Sequence, residues 1–208
     1  MEKSTNKQTE PETKQEVKHP DPSALGLFGL AMVTLVASSQ KLGLTDGVAL
    51  VLPWAIFLGS FAQLIAGFYD YKKNNVFGAT AFLGYGLFWL GVAFTWLETL
   101  GTFGSDIMEA ADISQLGIAY LGYFIFTFYM TIGSTKTNKV LFAIFVLITC
   151  LFLFLALHTF GIARGVTGFM AGLTELLIAV SSFYLSAANI LSIQFGKQML
   201  PIGKPIIK

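Results

Sequence analysis

The sequence predicts an all-α, polytopic membrane protein with six transmembrane helices per protomer. Apolar residues make up 54% of its 208 residues and charged residues 12%, which is about half of the roughly 25% charged residues typical of a soluble domain. The apolar residues are collected in six runs, most of them close to the roughly 20 residues with which a helix crosses a bilayer. The runs do not alternate between polar and apolar residues as the strands of a membrane barrel do. Helices are therefore the expected spans, because they satisfy their own backbone hydrogen bonds in lipid.

Short polar loops separate the apolar runs and set the domain organisation. The first run has 17 residues, which at about 1.5 Å per residue still covers most of a roughly 30 Å hydrocarbon layer. The longest loop, 98–113, has 16 residues and is too short for a soluble domain. We expect a tail at 1–23, a transmembrane domain at 24–189 and a C-terminal segment at 190–208. The expected spans are 24–40, 48–69, 77–97, 114–132, 140–160 and 166–189.

The tail is rich in charged residues and poor in apolar ones. It holds four lysines, four glutamates and three prolines, so it cannot bury enough surface to fold and we expect it to be disordered. The apolar residues begin at Ala24, whereas a secretory signal has its apolar core directly after a short basic start. The first run is therefore expected to remain as a span.

The basic residues are distributed unevenly between the two sides of the predicted bundle. Eleven of the thirteen fall in the tail, in the turns at 70–75 and 133–139, and in the C-terminal segment. The opposite side holds Lys41 and Arg164. By the positive-inside rule both termini are expected to be cytoplasmic, and an even number of spans requires the two termini to lie on the same side. This simple pattern fits a prokaryotic inner membrane.

Several classes of function lack the residues that they require. The chain has two histidines and one cysteine, and it contains no HExxH, Walker or GxSxG motif, so we expect no enzyme activity, no metal and no cofactor. Cys150 has no partner for a disulfide within the chain. The lysines are scattered over separated segments, which does not favour nucleic-acid binding. The expected partners are the lipid bilayer and whatever passes through the bundle.

Glu175 is the one carboxylate well inside a predicted span. Placing an ionised aspartate at the bilayer centre costs about 2.5 to 3.5 kcal/mol on insertion scales, so an acid here needs a reason. The 3-4 spacing of the helix places small and polar residues on the same face: Gly168, Gly172, Ala179 and Ser182. Two interpretations stay open, namely a proton carrier and a hydrogen-bonded acid that joins helices.

The stretch 57–89 forms a hairpin of two apolar runs joined by the turn 70–75. Polar side chains within these runs mark faces that pack on protein or line a path. Gln63 fits a pore lining and a tie between helices equally well. Tyr85 has an apolar ring with a hydroxyl tip, which suits a constriction or a packed core.

Three blocks of sequence carry a family resemblance. Residues 21–27, Asp-Pro-Ser-Ala-Leu-Gly-Leu, resemble the Asn-Pro-Ala-Pro-Leu-Gly-Leu signature of the acetate uptake transporter family. The block 62–89, with its acidic-Tyr-Lys-Lys turn, and the ending Gln-Phe-Gly and Leu-Pro-Ile-Gly at 194–203 are similar to the same family. Asp21 and Ala24 depart from the signature, although Asp caps a helix as well as Asn does.

The resemblance implies a protomer of six helices, assembled as a homo-hexamer, in which each protomer carries small carboxylate anions. Members move acetate and often succinate, by proton-coupled transport or by channel-like permeation. The family's central hydrophobic constriction of Phe, Tyr and Leu becomes Leu30, Tyr85 and Ile148 here. Ser182 falls where the family has a small residue that affects substrate choice.

A carboxylate that passes an apolar constriction needs hydrogen-bond donors on each side of it. The candidates are polar side chains within the spans: Thr34, Gln63, Thr80, Ser181 and Ser182. Glu175 is the candidate for proton coupling. Two alternatives remain open at this point, a channel for a small neutral solute such as urea, ammonia or water, and a membrane scaffold that transports nothing.

Overall fold

A computed structural model describes residues 20–207 of the chain. Most of the predicted disordered tail, residues 1–19, lies outside the described residues. Within the described residues all regular structure is helical, and six helices are long and apolar enough to cross a membrane. The prediction of an all-α membrane protein with six spans is confirmed.

Short turns join the helices. The second span is composite, since a π-helical segment at Ala55–Ala62 lies between two α-helical parts, α2 and α3. The helices in chain order are α1 (Ser23–Lys41), α2 (Leu52–Trp54), α3 (Gln63–Lys72), α4 (Val76–Thr99), α5 (Ser105–Glu109), α6 (Ile113–Ser134), α7 (Lys139–Thr159) and α8 (Arg164–Phe195).

The observed spans differ from the expected ones chiefly at two ends. The second span begins at Leu52 instead of residue 48, because residues 48–51 form a turn in which the Val51 N–H donates to the Val48 carbonyl. Helix α8 continues to Phe195, past the expected end at residue 189, and stops at Gly196 in the left-handed conformation. Glycine adopts that conformation at little steric cost and commonly ends helices there.

Side-chain caps fix the starts of three spans. Asn75 Oδ1 accepts a hydrogen bond from the Gly78 N–H at the start of α4, and Asp112 and Asn138 act in the same way at α6 and α7. Such caps satisfy backbone donors that have no partner within the helix. Asn75 thereby sets the turn that returns the chain from α3 into α4.

The helices form one bundle with a shared core. Helix α1 packs on α8 and on the second span, α7 packs on α6 and α8, and α3 packs on α4. At Gly29 the approach is so close that an added Cβ would collide with the Leu58 carbonyl oxygen. Large apolar residues such as Phe57, Ile118 and Phe169 are exposed on the outside, as expected of a surface that faces lipid.

The chain segments at one end of the bundle are tied together. The Ser186 hydroxyl donates to the Ala24 carbonyl at 2.7 Å, and the Tyr184 hydroxyl donates to the Pro201 carbonyl at 2.7 Å. The C-terminal segment also pairs with the 135–139 loop through an Ile206 N–H that donates to the Thr135 carbonyl. We call this the terminal end of the bundle and the opposite end, with the loops 42–51 and 100–112, the loop end.

Candidate functional site

A cavity of about 240 Å³ extends into the bundle from the terminal end. We call it the vestibule. Its wall is polar near the turns and becomes apolar towards the middle of the bundle. The polar residues in the wall are Asp21, Ser23, Gln63, Asp70, Asn75, Thr137, Asn138 and Asn189. Helices α1, α4, α7 and α8 all contribute to it, so the vestibule exists only in the assembled bundle.

Leu30, Tyr85 and Ile148 lie at the inner limit of the vestibule. These three constriction residues come from α1, α4 and α7, and each is at most 6% exposed. All three also line a second, middle cavity of about 10 Å³. A cavity of roughly 10 to 15 Å³ holds a single water, so the passage beyond the constriction is too narrow for a carboxylate in this conformation.

The Tyr85 side chain is held on two sides. Its hydroxyl donates a hydrogen bond to Thr127 Oγ1 on α6 at 3.0 Å. Its ring packs edge-on against Phe126, with centroids 5.5 Å apart, and stacks on Phe152 at 6.3 Å. Tyr85 therefore presents a fixed aromatic wall to both cavities, with its hydroxyl already occupied by a protein partner.

Gln63 lies on the vestibule side of the constriction, directly after the π-helical segment. Its Nε2 donates to the Gly59 carbonyl at 2.6 Å, while its Oε1 makes no hydrogen bond among the described residues. The side chain is fully buried and lines the vestibule. Single π turns inside helices often occur at functional sites, and this one sets the position of a polar side chain in the cavity wall.

The other polar candidates divide into two groups. Thr34 lines the middle cavity, where its hydroxyl donates to the Leu30 carbonyl at 2.7 Å. Thr80, Ser181 and Ser182 are not among the residues that line the vestibule, the middle cavity or the cavity described next. Ser182 is fully buried, and its hydroxyl makes no hydrogen bond among the described residues. Of the five sequence candidates, the structure brings Gln63 and Thr34 to the two sides of the constriction.

A third cavity, of about 100 Å³, lies towards the loop end. We call it the loop-end cavity. It shares Phe88 and Trp89 with the middle cavity, so the three cavities follow one another through the bundle. Glu175 lines it, and Lys41 Nζ lies 2.9 Å from Glu175 Oε2. The carboxylate that stood alone in the sequence therefore has a cationic partner at the end of α1.

The sequence pattern did not indicate that Lys41 pairs with Glu175. Lys41 stood out only as one of two basic residues on its side, and Gly172 as part of a small face on the last span. Gly172 is where the end of α1 meets α8, because a Cβ there would lie 2.9 Å from the Lys41 Cβ. Glu175 follows three residues later on the same helix face, which brings the two charges together.

Two acidic side chains lie near the vestibule mouth. Asp70 is fully buried, and its carboxylate lies against Gly78, close to the start of α4. A carboxylate in that position interacts favourably with the positive end of the helix dipole. Asp21 accepts hydrogen bonds from the Ser23 N–H and hydroxyl and lies 3.3 Å from Lys73 Nζ.

The Asp21 carboxyl is outside the spans, and its surroundings favour the ionised form. Burial acts to raise its pKa, but the two hydrogen bonds from Ser23 and the Lys73 ammonium together outweigh burial and hold the pKa of Asp21 below its usual value. Asp21 is therefore an anion at neutral pH.

Among residues 20–207 no group of three or more His, Cys, Asp or Glu side chains has the arrangement of a metal site.

Comparisons with known proteins agree with the family resemblance of the sequence. Residues 4–200 match the model of the GPR1/FUN34/yaaH family. The succinate-acetate/proton symporter SatP of Escherichia coli is 37% identical over 186 residues, which cover 88% of this chain and 95% of that protein. The ammonia transport outward protein 2 of Saccharomyces cerevisiae is 32% identical over 177 residues, covering 83% of this chain and 62% of the yeast protein.

The fold is also similar to that of a known protein of this kind. The solved structure of the bacterial acetate channel SatP matches with a TM-score of 0.82 at 35% identity, covering 89% of this chain and all of that chain. The family match, over residues 4–200, includes all the helices and thus the residues that line the vestibule, the middle cavity and the loop-end cavity. On these grounds the chain belongs to the GPR1/FUN34/yaaH family.

Proposed function

We propose that this protein transports small carboxylates, acetate and succinate among them, across the membrane through each protomer. The observation that carries the proposal is the series of three cavities through a bundle that matches a bacterial acetate channel. The names of the bacterial relatives point to the same substrates. The path runs from the vestibule, past Leu30, Tyr85 and Ile148, to the loop-end cavity.

The constriction sets the physical problem of transport. A carboxylic acid with a pKa near 4 is almost wholly ionised at pH 7, so the moving species is an anion that has to shed water at an apolar ring. Gln63 in the vestibule wall and Thr34 in the wall of the middle cavity offer a polar side chain on each side of this barrier. The middle cavity has to widen for passage, because about 10 Å³ holds one water at most.

Glu175 is the proposed proton carrier. A proton on Glu175 cancels its charge in the loop-end cavity, so that a proton and an anion can enter together without a net change of charge in the protein. Glu175→Gln keeps the size of the side chain and removes the titratable group. We expect uptake by this variant to lose its pH dependence, and a pH dependence equal to that of the unaltered protein would contradict the assignment.

The orientation and assembly are part of the same proposal. The terminal end faces the cytoplasm of a prokaryotic cell, as the lysine distribution predicts, and the protomers associate as a hexamer, as the family resemblance implies. Thr102→Cys places a reactive thiol in an exposed loop at the loop end, and a membrane-impermeant reagent should label it in intact cells. Native mass spectrometry of the purified protein measures the number of protomers.

The primary test is uptake of labelled acetate and succinate by vesicles that contain this protein alone, with and without an imposed pH gradient. Tyr85→Ala removes one wall of the constriction and should change the rate of uptake. Tyr129→Ala is a matched control, because Tyr129 lies on the exposed surface of α6 and should leave the rate unchanged. Absence of uptake of either acid would reject the substrate assignment.

Ammonia is the second candidate substrate. The yeast relative is named as an ammonia export protein, and a narrow path of mixed polarity also suits a small neutral solute. A flux of methylammonium or ammonia that is independent of added carboxylate would favour this function. If neither solute crosses the vesicle membrane, the remaining interpretation is a membrane scaffold.

A further inference from the structure

We propose that the loop-end cavity is a binding site for a small monocarboxylate, in which the Lys41 ammonium holds either the Glu175 carboxylate or the bound anion. The proposal rests on the proposed transport function and adds to it a residue, Lys41, that receives the substrate. In the structure Lys41 is paired with Glu175, which is the first of these two arrangements.

Lys41 is the one basic side chain among the residues that line the three cavities. A carboxylate loses hydration when it leaves water, and a charge-assisted hydrogen bond to an ammonium compensates for that loss better than a neutral donor does. The Lys41 side chain is 20% exposed, whereas Glu175 is 2% exposed. Lys41 therefore has surface left for a ligand, and the buried Glu175 holds it in place.

The walls of the cavity fit the apolar end of a short acid. Trp89 and Trp96 lie beside each other with ring centroids 6.4 Å apart, and both line the cavity together with Tyr120. Small-ligand sites commonly combine apolar walls with a few polar groups that fix the orientation. A methyl group against the indoles and a carboxylate on Lys41 match this division.

The volume limits the size of the acid. About 100 Å³ is room for several waters, each of which needs roughly 10 to 15 Å³ on the same measure. Acetate has four non-hydrogen atoms and fits this space. A dicarboxylate such as succinate is twice as large, and its second carboxylate has no second basic side chain in the wall, so the site should discriminate against it.

The exchange balances in charge. In the free state the Glu175 carboxylate and the Lys41 ammonium sum to zero. When acetate binds, Glu175 takes up one proton on its carboxylate, and the Lys41 ammonium, which keeps its own protons, transfers its hydrogen bond to the acetate carboxylate. The protonated Glu175 is neutral, the Lys41 and acetate charges cancel, and the site again sums to zero.

The other titratable groups around the pair come from two neighbouring helices. Tyr120 of α6 lies in the cavity wall. His158 of α7 packs against Gly168, two turns before Glu175 on α8, and its Nδ1 lies 3.0 Å from the Arg164 carbonyl oxygen. Helix α4 contributes tryptophan rings and no titratable group to this wall. The proposal assigns the coupled proton to Glu175 alone.

The positions of the tryptophans allow binding to be measured without transport. The chain has three tryptophans, of which Trp89 and Trp96 line the cavity and Trp54 lies on the exposed surface. In the Trp54→Phe variant, tryptophan fluorescence therefore comes only from the two residues that line the cavity. Titration of this protein in detergent with sodium acetate, beside sodium chloride at equal ionic strength, should give a saturable change that is at least tenfold more sensitive to acetate at pH 5.5 than at pH 7.5.

Three further variants in the Trp54→Phe background test the exchange. Glu175→Gln should bind acetate at pH 7.5 at least tenfold more tightly than the parent and without dependence on pH, because Lys41 has lost its competitor. Lys41→Gln should lose the saturable change. The Lys41→Gln, Glu175→Gln double variant has a neutral pair at the same contact, and it should fold and also fail to bind.

The results separate this inference from the proposed function. Unaltered acetate binding by the double variant, an unaltered pH dependence in Glu175→Gln, or a parent that responds equally to acetate and chloride would overturn the site. If vesicle uptake of acetate persists in such a case, transport stands and only the role of Lys41 fails. A parent that binds acetate with the expected variant pattern but transports neither acid supports the site and removes the transport function.

Discussion

Ile148→Ala tests whether the constriction limits flux. Ile148 is 4% exposed, and it contacts both the vestibule and the middle cavity. Replacing a buried isoleucine with alanine lowers the free energy of unfolding by about 2 to 5 kcal/mol. The lower half of that range is expected here, because the space released joins two existing cavities instead of forming a sealed one. The widened passage should admit acetate with fewer lost hydration waters.

The matched control for this experiment is Ile144→Ala. Ile144 lies one helical turn earlier on α7, is 1% exposed and lines the vestibule but not the middle cavity. Both variants should lose similar stability, measured as a lower midpoint of thermal unfolding in detergent. Vesicle uptake of acetate should rise severalfold in Ile148→Ala and stay close to the unaltered rate in Ile144→Ala. Equal changes in the two variants, or no change in either, would refute the assignment of Ile148 to a flux-limiting constriction.

Two further predictions concern the vestibule mouth. Gly78→Ala should lower the thermal unfolding midpoint markedly, because the added Cβ would collide with the Asp70 carboxylate and the neighbouring Asn75 amide. The control is Gly91→Ala, whose Cβ meets no atom within 4 Å and which should leave the midpoint unchanged or slightly raised. Equal effects of the two substitutions would count against the collision. Asp21 has a folded-state pKa below its unfolded value, so its stabilising contribution is present above about pH 4 and is lost as the pH falls through the folded-state pKa. Asp21→Asn should remove that part of the acid sensitivity, an effect below about 1 kcal/mol because the pair is partly exposed, and unfolding midpoints from pH 2.5 to 7 measure it.

The Glu175 face of α8 shows what helical periodicity predicts and what it does not. Helical spacing places Gly168, Gly172, Ala179 and Ser182 on the face of Glu175; Gly168 is half-buried, and the other four residues of the face are buried. The spacing did not reveal what that face meets. Gly172 packs against the end of α1, while Ser182, on the same face, lies outside the linings of the three cavities.

Thr34 and Thr80 also show that the sequence does not reveal which polar residue of a span lines a cavity. Both are threonines inside apolar spans, and the sequence offered no way to rank them. In the structure Thr34 lines the middle cavity, while Thr80 is half-buried and outside the cavity linings. The difference arises from the rotation of each helix about its axis, which is set by the neighbours that it packs against.

The sequence by itself determined the number of spans, all but one of their limits to within about four residues, and the family. These depend on local quantities, namely the length of an apolar run against the thickness of a bilayer and motifs that can be read along the chain. The tertiary structure alone decided that Lys41 pairs with Glu175, that Gln63 and Thr34 lie on opposite sides of the constriction, and that the passage is closed between them. Such contacts join residues far apart in the chain, and a helical pattern specifies which residues share a face but not which helix that face will meet.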